Sequence, residues 1–204
     1  IDALFAENEV SEIWITFPDP QLKTRRAKKR LTSPLYLACY ARLLRPDGWI
    51  NLKTDSKHLY AYTGEVIRHY GLTCEVSEPD IYGSGFADEV LSVKTAYETR
   101  FLEMGLPITY TRFALGGRHE FPWFDWEEDD KLKCEKDCEE ARRGARRQIT
   151  QLCSKKGMWD EQTSSGLYEV LDLLSIKQMK LLGHLLDTEE KRIEQLQTAR
   201  RKAQ

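Results

Sequence analysis

"VSEIWITFPDPQLKTRRAKKRL" (residues 10–31) joins three unlike pieces of chemistry in one short stretch. Val10 to Phe17 is β-branched and aromatic and stops at Pro18, the pattern of a buried strand. Asp19 then stands alone between Pro18 and Pro20. From Gln21 to Leu31 the chain carries six Lys or Arg in eleven residues, with no acid among them. On these residues alone, two readings of Phe17-Pro18-Asp19-Pro20 stand open. The prolines can end the strand while Asp caps the turn. They can equally fix the backbone so that a carboxylate is held, preorganised, at the strand's carboxyl end. The block Lys23, Arg25, Arg26, Lys28, Lys29 and Arg30 can be a solvated loop. Like charges this dense repel, however, and a polyanion that neutralises them gains by counterion release. The expected polyanion is a phosphate backbone.

Working outward, Ser33-Pro34 predicts a helix start, with Pro at the first helical position. That helix runs through "LYLACYARLL" to a predicted turn at Arg45-Pro46-Asp47-Gly48. "WINLKTD" reads as a second strand ending in Asp55. "HLYAYTGEVIRHYG" has helical spacing in Leu59, Tyr62, Val66 and Tyr70, closed by Gly71. "LTCEVSEP" is a third strand, followed by a Gly-rich loop (Tyr82 to Phe86). "EVLSVKTAYETRFLEMG" is helical towards its end, and "PITYTRFAL" is a last strand. The alternation predicts an α/β fold with a parallel or mixed sheet covered by helices. Ligands of such sheets bind beyond the carboxyl ends of the strands. Asp19 and Asp55 both lie just past such an end, so they share one rim. Thr95 and Glu98 have the spacing of a capping box, a reading that stays open beside any functional one.

The 204 residues are 41% hydrophobic and 31% charged, as expected of a soluble globular chain. No apolar run approaches the ~20 residues of a membrane span, and no secretion signal opens the chain. A net charge of −2 requires any nucleic-acid role to rest on a local patch. Five cysteines without framework spacing read as reduced thiols, which predicts a cytoplasmic location. No metal site is expected, since Cys134 and Cys138 lack two further ligands nearby. There is no Ser-His-Asp order, HExxH, Walker motif or GxGxxG. After Gly116-Gly117 the composition turns aromatic, then acidic. Residues 1–117 are read as one domain and 118–204 as a helical, charge-rich appendage. Its Leu167, Val170, Leu171, Leu174, Leu181, Leu182, Leu185, Ile193 and Leu196 approximate an amphipathic stripe.

Three segments fall in one order and spacing: "FPDPQLKTRRAKKRL", "LLRPDGWINLKTDS" and "SVKTAYETRFLEMGLPITYTRF". Together they resemble the bacterial tRNA (guanine-N7)-methyltransferase family, over roughly residues 1 to 115. That family's pattern is FPDPWxK with a basic run, then L-x-P-G-G and TD, then T-x-x-E-x-x-x-x-x-G. Gln21 stands where the family usually has Trp. The family's first half, with the Gly-rich turn and acidic residue that hold S-adenosylmethionine, has no counterpart here. The chain, which starts at Ile1, reads as the family's carboxyl-terminal portion.

The resemblance implies a Rossmann-like class I methyltransferase fold and a tRNA (guanine(46)-N7)-methyltransferase activity. The donor would be S-adenosylmethionine and the acceptor N7 of a variable-loop guanine. It assigns Asp19 to the chemistry and the cofactor, and Lys23, Asp55, Thr95 and Glu98 to substrate binding. Arg25, Arg26, Lys28, Lys29 and Arg30 become the tRNA-backbone contact. Two other readings compete with this one. A non-catalytic RNA-binding remnant would keep the basic loop but lack the cofactor half. A methyltransferase acting on a small molecule or protein would gain little from six clustered cations.

Overall fold

The computed structural model describes residues 4–103, 105–128, 130–156, 174 and 176–202. It divides into two compact units, Ile1–Asp129 and Asp130–Gln204. The first unit holds four strands: β1 (Val10–Thr16), β2 (Leu44–Thr54), β3 (Thr73–Glu78) and β4 (Thr109–Ala114). They form one mixed sheet in the order β1-β2-β4-β3. β1 and β2 are parallel, while β4 runs antiparallel to both β2 and β3. Helices α1 (Pro34–Leu43), α2 (Lys57–Tyr70) and α3 (Ala96–Glu103) complete the α/β, Rossmann-like arrangement, and a helical carboxyl-terminal part follows.

The pleat sorts the sheet residues into two faces. Ile13 pairs with Ile50 and Ile15 with Leu52, and Ile50 also pairs with Phe113. These side chains meet Leu37, Tyr40, Leu59, Tyr62 and Val66 of α1 and α2 in the main core. On the other face Thr16 pairs with Lys53, which also pairs with Tyr110. Tyr110 joins Ile81, Leu91 and Ile108 in a smaller core supplied by the segment before β4.

The predicted turn at Arg45–Gly48 takes an unexpected form, because these residues lie inside β2. Val10 pairs with Leu44 and Glu12 with Trp49, so two residues of β1 span five of β2. The four turn-forming residues bulge out of the ladder, with Arg45 Nε bonded to Asp47 Oδ1 at 3.2 Å. Gly71 closes α2 at φ +62°, the left-handed cap conformation that favours glycine.

The second unit comprises α4 (Asp130–Lys156) and α5 (Ile176–Lys202). Leu174, Leu182 and Leu186 pack on the buried Ala145 and Ile149 of α4. The predicted stripe is only partly realised, since Leu181, Leu185 and Leu196 are exposed. Leu167, Val170 and Leu171 lie outside the described residues. Among the described residues no helix is long and apolar enough to cross a membrane.

Candidate functional site

The β1–β2 ladder continues one bond beyond Thr16, because Phe17 donates its N–H to the Lys53 carbonyl at 2.8 Å. Phe17 takes φ +48°, a left-handed conformation for a bulky residue. The chain thus leaves the sheet abruptly, level with Lys53-Thr54-Asp55. Asp19 is exposed on the turn that follows. Its Oδ1 accepts the Gln21 N–H at 3.0 Å, which orients the carboxylate. Ser56 caps α2 by accepting the Leu59 N–H at 3.2 Å, and half-buried Asp55 sits directly before it. Parallel register therefore brings Asp19 and Asp55 to the same end of the sheet.

The basic run forms a short 3₁₀ helix, Thr24–Lys29, preceded by Lys23. It is held from below. The Ser33 hydroxyl donates to the Lys28 carbonyl at 3.1 Å, and Thr32 Oγ1 lies 2.8 Å from Thr63 Oγ1 on α2. Lys23, Arg25, Arg26, Lys28 and Lys29 are exposed.

Arg30 departs from the sequence expectation. It is only 2% exposed, so it does not belong with the cations that can reach a phosphate. Its guanidinium lies over the Tyr62 ring at 4.4 Å and the Trp126 ring at 5.7 Å. Its Nε donates to the Gln21 carbonyl at 3.3 Å. Burial lowers the Arg30 pKa, with Tyr62 and Glu128 opposing. The side chain ends in an aromatic site that rewards a planar cation. It acts as an internal strut tying the 3₁₀ helix to α2.

Glu98 is also placed differently from a residue open to a ligand. It is fully buried, and its Oε1 lies 2.6 Å from Lys53 Nζ. The Tyr82 hydroxyl donates to the same oxygen at 2.6 Å. Burial first, then this bond, pushes the Tyr82 pKa up. Lys53 Nζ also donates to the Leu91 carbonyl at 2.5 Å. The capping box is present: Glu98 N–H donates to Thr95 Oγ1 at 3.1 Å, and Thr95 N–H to Glu98 Oε2 at 3.3 Å. Exposed Thr95 is thereby fixed at the start of α3. Lys53, two residues before Asp55, ties that helix start to the rim.

Residues beyond the last strand also shape the site. Phe121 packs against Tyr70, whose hydroxyl donates to the Pro122 carbonyl. Phe124 stacks on His69 at 4.2 Å, and Trp126 meets the edges of His58 and Tyr62. His58 Nε2 lies 3.2 Å from Glu128 Oε1. Residues 121–128 therefore form a strap across α2 that reaches the basic helix. Its only sequence signal was the density of aromatics in "FPWFDW".

Residues 1–111 match the model of the family Methyltransf_4, described as "Putative methyltransferase". The chain is 47% identical over 115 residues to the tRNA (guanine-N(7)-)-methyltransferase of Bacteroides thetaiotaomicron, covering 56% of this chain and 45% of that protein. It is 47% identical over 117 residues to the Porphyromonas gingivalis protein of the same name, covering 57% and 47%. Identity to the Christiangramia forsetii protein of that name is 46% over 116 residues, covering 56% and 52%. The chain spans about half the length of these curated relatives. It belongs to this methyltransferase family, with relatives named as tRNA (guanine-N(7)-)-methyltransferases.

Proposed function

We propose that the chain takes part in methyl transfer to N7 of a guanine in tRNA, with S-adenosylmethionine as donor and the variable-loop guanine as acceptor. The observation that carries this reading is the rim itself. Asp19 lies exposed at the carboxyl end of β1, and the exposed cations of the 3₁₀ helix follow within a few residues. The relatives' names support the same substrate.

A bound S-adenosylmethionine would supply an electrophilic methyl group carried on a sulfonium. An exposed, oriented carboxylate suits a cationic group, and Asp19 is the residue of this chain assigned to it. Guanine N7 has a lone pair and no proton, so the chain need not provide a general base. Positive charge moves onto the guanine as the bond forms, and Asp19 stabilises it there. Lys23, Asp55 and Thr95 are the groups assigned to the substrate nucleotide. Glu98 acts through Thr95 and Lys53 by holding them in place. Lys28, Lys29, Arg25 and Arg26 hold the RNA backbone and set the register of the guanine. A protein working on tRNA in this way is expected in the cytoplasm.

The test is incubation of the whole protein with tRNA and methyl-labelled S-adenosylmethionine. Reductive strand scission at N7-methylguanine then locates the product. Label in tRNA at a variable-loop guanine supports the reading. Salt-dependent tRNA binding without label would favour a non-catalytic RNA-binding module instead.

A further inference from the structure

The strap 121–128 contains four large aromatics, and three of them turn inward: Phe121 onto Tyr70, Phe124 onto His69, and Trp126 onto His58 and Tyr62. Trp123 turns outward and is 44% exposed. Its position is nevertheless fixed. The Pro122 carbonyl is held by the Tyr70 hydroxyl on one side, and Phe124 is stacked on His69 on the other. Trp123 Nε1 donates to Asp125 Oδ1 at 3.3 Å, which restrains the ring. The Lys28 ammonium, from the 3₁₀ helix, lies 5.5 Å from the ring centroid. An exposed, restrained indole beside clustered cations combines the two elements by which proteins hold unpaired nucleotides. One is a ring on which a base stacks, and the other is a positive surface that follows the phosphates.

We propose that Trp123 is a base-stacking residue of an RNA-binding surface, and that its ligand is an unpaired nucleotide whose phosphates contact the Lys28–Lys29 side of the basic helix. This rests on the RNA reading above and adds to it a contact from outside the segment matched by the family model, which ends at residue 111. It also bears on Gln21, where the resemblance expects an aromatic residue. The Gln21 carbonyl is bonded to Arg30, which packs on the neighbouring Trp126. The strap thus brings an aromatic side chain to the same basic helix from elsewhere in the chain. Stacking needs only a π-face, so the contact tolerates any base.

The test uses the 204-residue chain and an unstructured RNA of about a dozen nucleotides, in mixed-sequence and abasic forms, with affinity measured across salt. The unsubstituted chain should bind the mixed-sequence RNA more tightly than the abasic one. Trp123→Ala should weaken binding of the first roughly five- to a hundredfold and leave the abasic affinity unchanged. Trp123→Phe should retain most of the affinity. The salt slope of Trp123→Ala should match that of the parent, because stacking releases no counterions. The proposal is overturned if Trp123→Ala binds within about twofold of the parent, or discriminates against abasic RNA as well as the parent does. It is also overturned if the variant's slope flattens by the ~0.7 expected for one lost phosphate contact on a single strand, since Lys28 would then be the group affected. A parent that binds RNA with a silent Trp123 removes this proposal alone. A parent that binds no RNA removes the underlying reading with it.

Discussion

Lys53 Nζ and Glu98 Oε1 meet at 2.6 Å with both side chains buried, one on the second strand and the other in the first turn of α3. The pair bolts the segment before β4 to the carboxyl end of β2, beside Asp55. A buried ion pair broken on one side leaves an uncompensated charge, at a cost of about 3–5 kcal/mol. Lys53→Met should therefore lower the unfolding free energy by that order in urea titrations. Lys53→Met combined with Glu98→Gln should recover part of the loss. A single-variant loss under ~1 kcal/mol would mean that the pair is not buried as described.

Arg30 and its exposed neighbours should separate cleanly. Arg30→Ala removes a guanidinium that lies over both the Tyr62 and the Trp126 ring. It should destabilise the fold by about 2–3 kcal/mol, with Arg30→Lys failing to restore it because an ammonium lacks the planar stacking surface. Lys28→Ala with Lys29→Ala should leave the unfolding midpoint unchanged. The same pair should weaken RNA binding and flatten its log–log salt slope by roughly 0.7–0.9 per lost phosphate contact. Circular dichroism and filter binding on the same preparations measure both.

The first unit ends at Asp129, and its last residues are structural. A chain cut after residue 129 should keep the strap and the stability of the first unit. A chain cut after residue 117 loses Phe121, Phe124 and Trp126 from the core surface. Losing these aromatics should cost several kcal/mol, each buried ring removed being worth about 3–5. Equal urea midpoints for the two truncations would contradict the packing role of the strap.

Alkaline stability should be limited by buried phenols. Burial pushes the Tyr62 pKa up to about 12, with Arg30 opposing, and it raises Tyr40 and Tyr82 as well. In the unfolded chain these groups ionise near ~10. The folded state therefore retains protons that the unfolded state releases. Stability is full below about pH 10 and falls as pH rises towards 12. Tyr62 alone accounts for about 2–3 kcal/mol of that loss. Tyr62→Phe should flatten the fall in unfolding free energy over this range. An unchanged slope would assign the loss to the other tyrosines.

Much of the architecture is legible from local pattern. The β-branched run before Pro18, the Pro at the start of α1 and the Gly that closes α2 each act within a few residues, and each element lies where its signal predicts. The rim was legible because a strand–helix–strand alternation implies parallel strands, whose carboxyl ends lie on one side. Interactions between distant segments were not legible. Nothing around Arg30 distinguishes it from Lys29 until Trp126 comes to lie beside it. The capping spacing of Thr95 and Glu98 was visible, but the pairing of Glu98 with Lys53 depends on how the intervening chain folds back. Arg45–Gly48 carries a genuine turn signal, and only the neighbouring strand shows that the turn bulges within β2.

The central claim is that Asp19 acts on the charge that develops during methyl transfer, while the exposed cations act only on binding. It is tested most directly by single-turnover methyl transfer to saturating tRNA, comparing the whole protein with its Asp19→Asn variant. Removing one such electrostatic group should slow the step roughly 10²–10³-fold, with tRNA affinity essentially unchanged. An Asp19→Asn protein that transfers methyl at the parent rate, or that loses only tRNA affinity, would contradict the account.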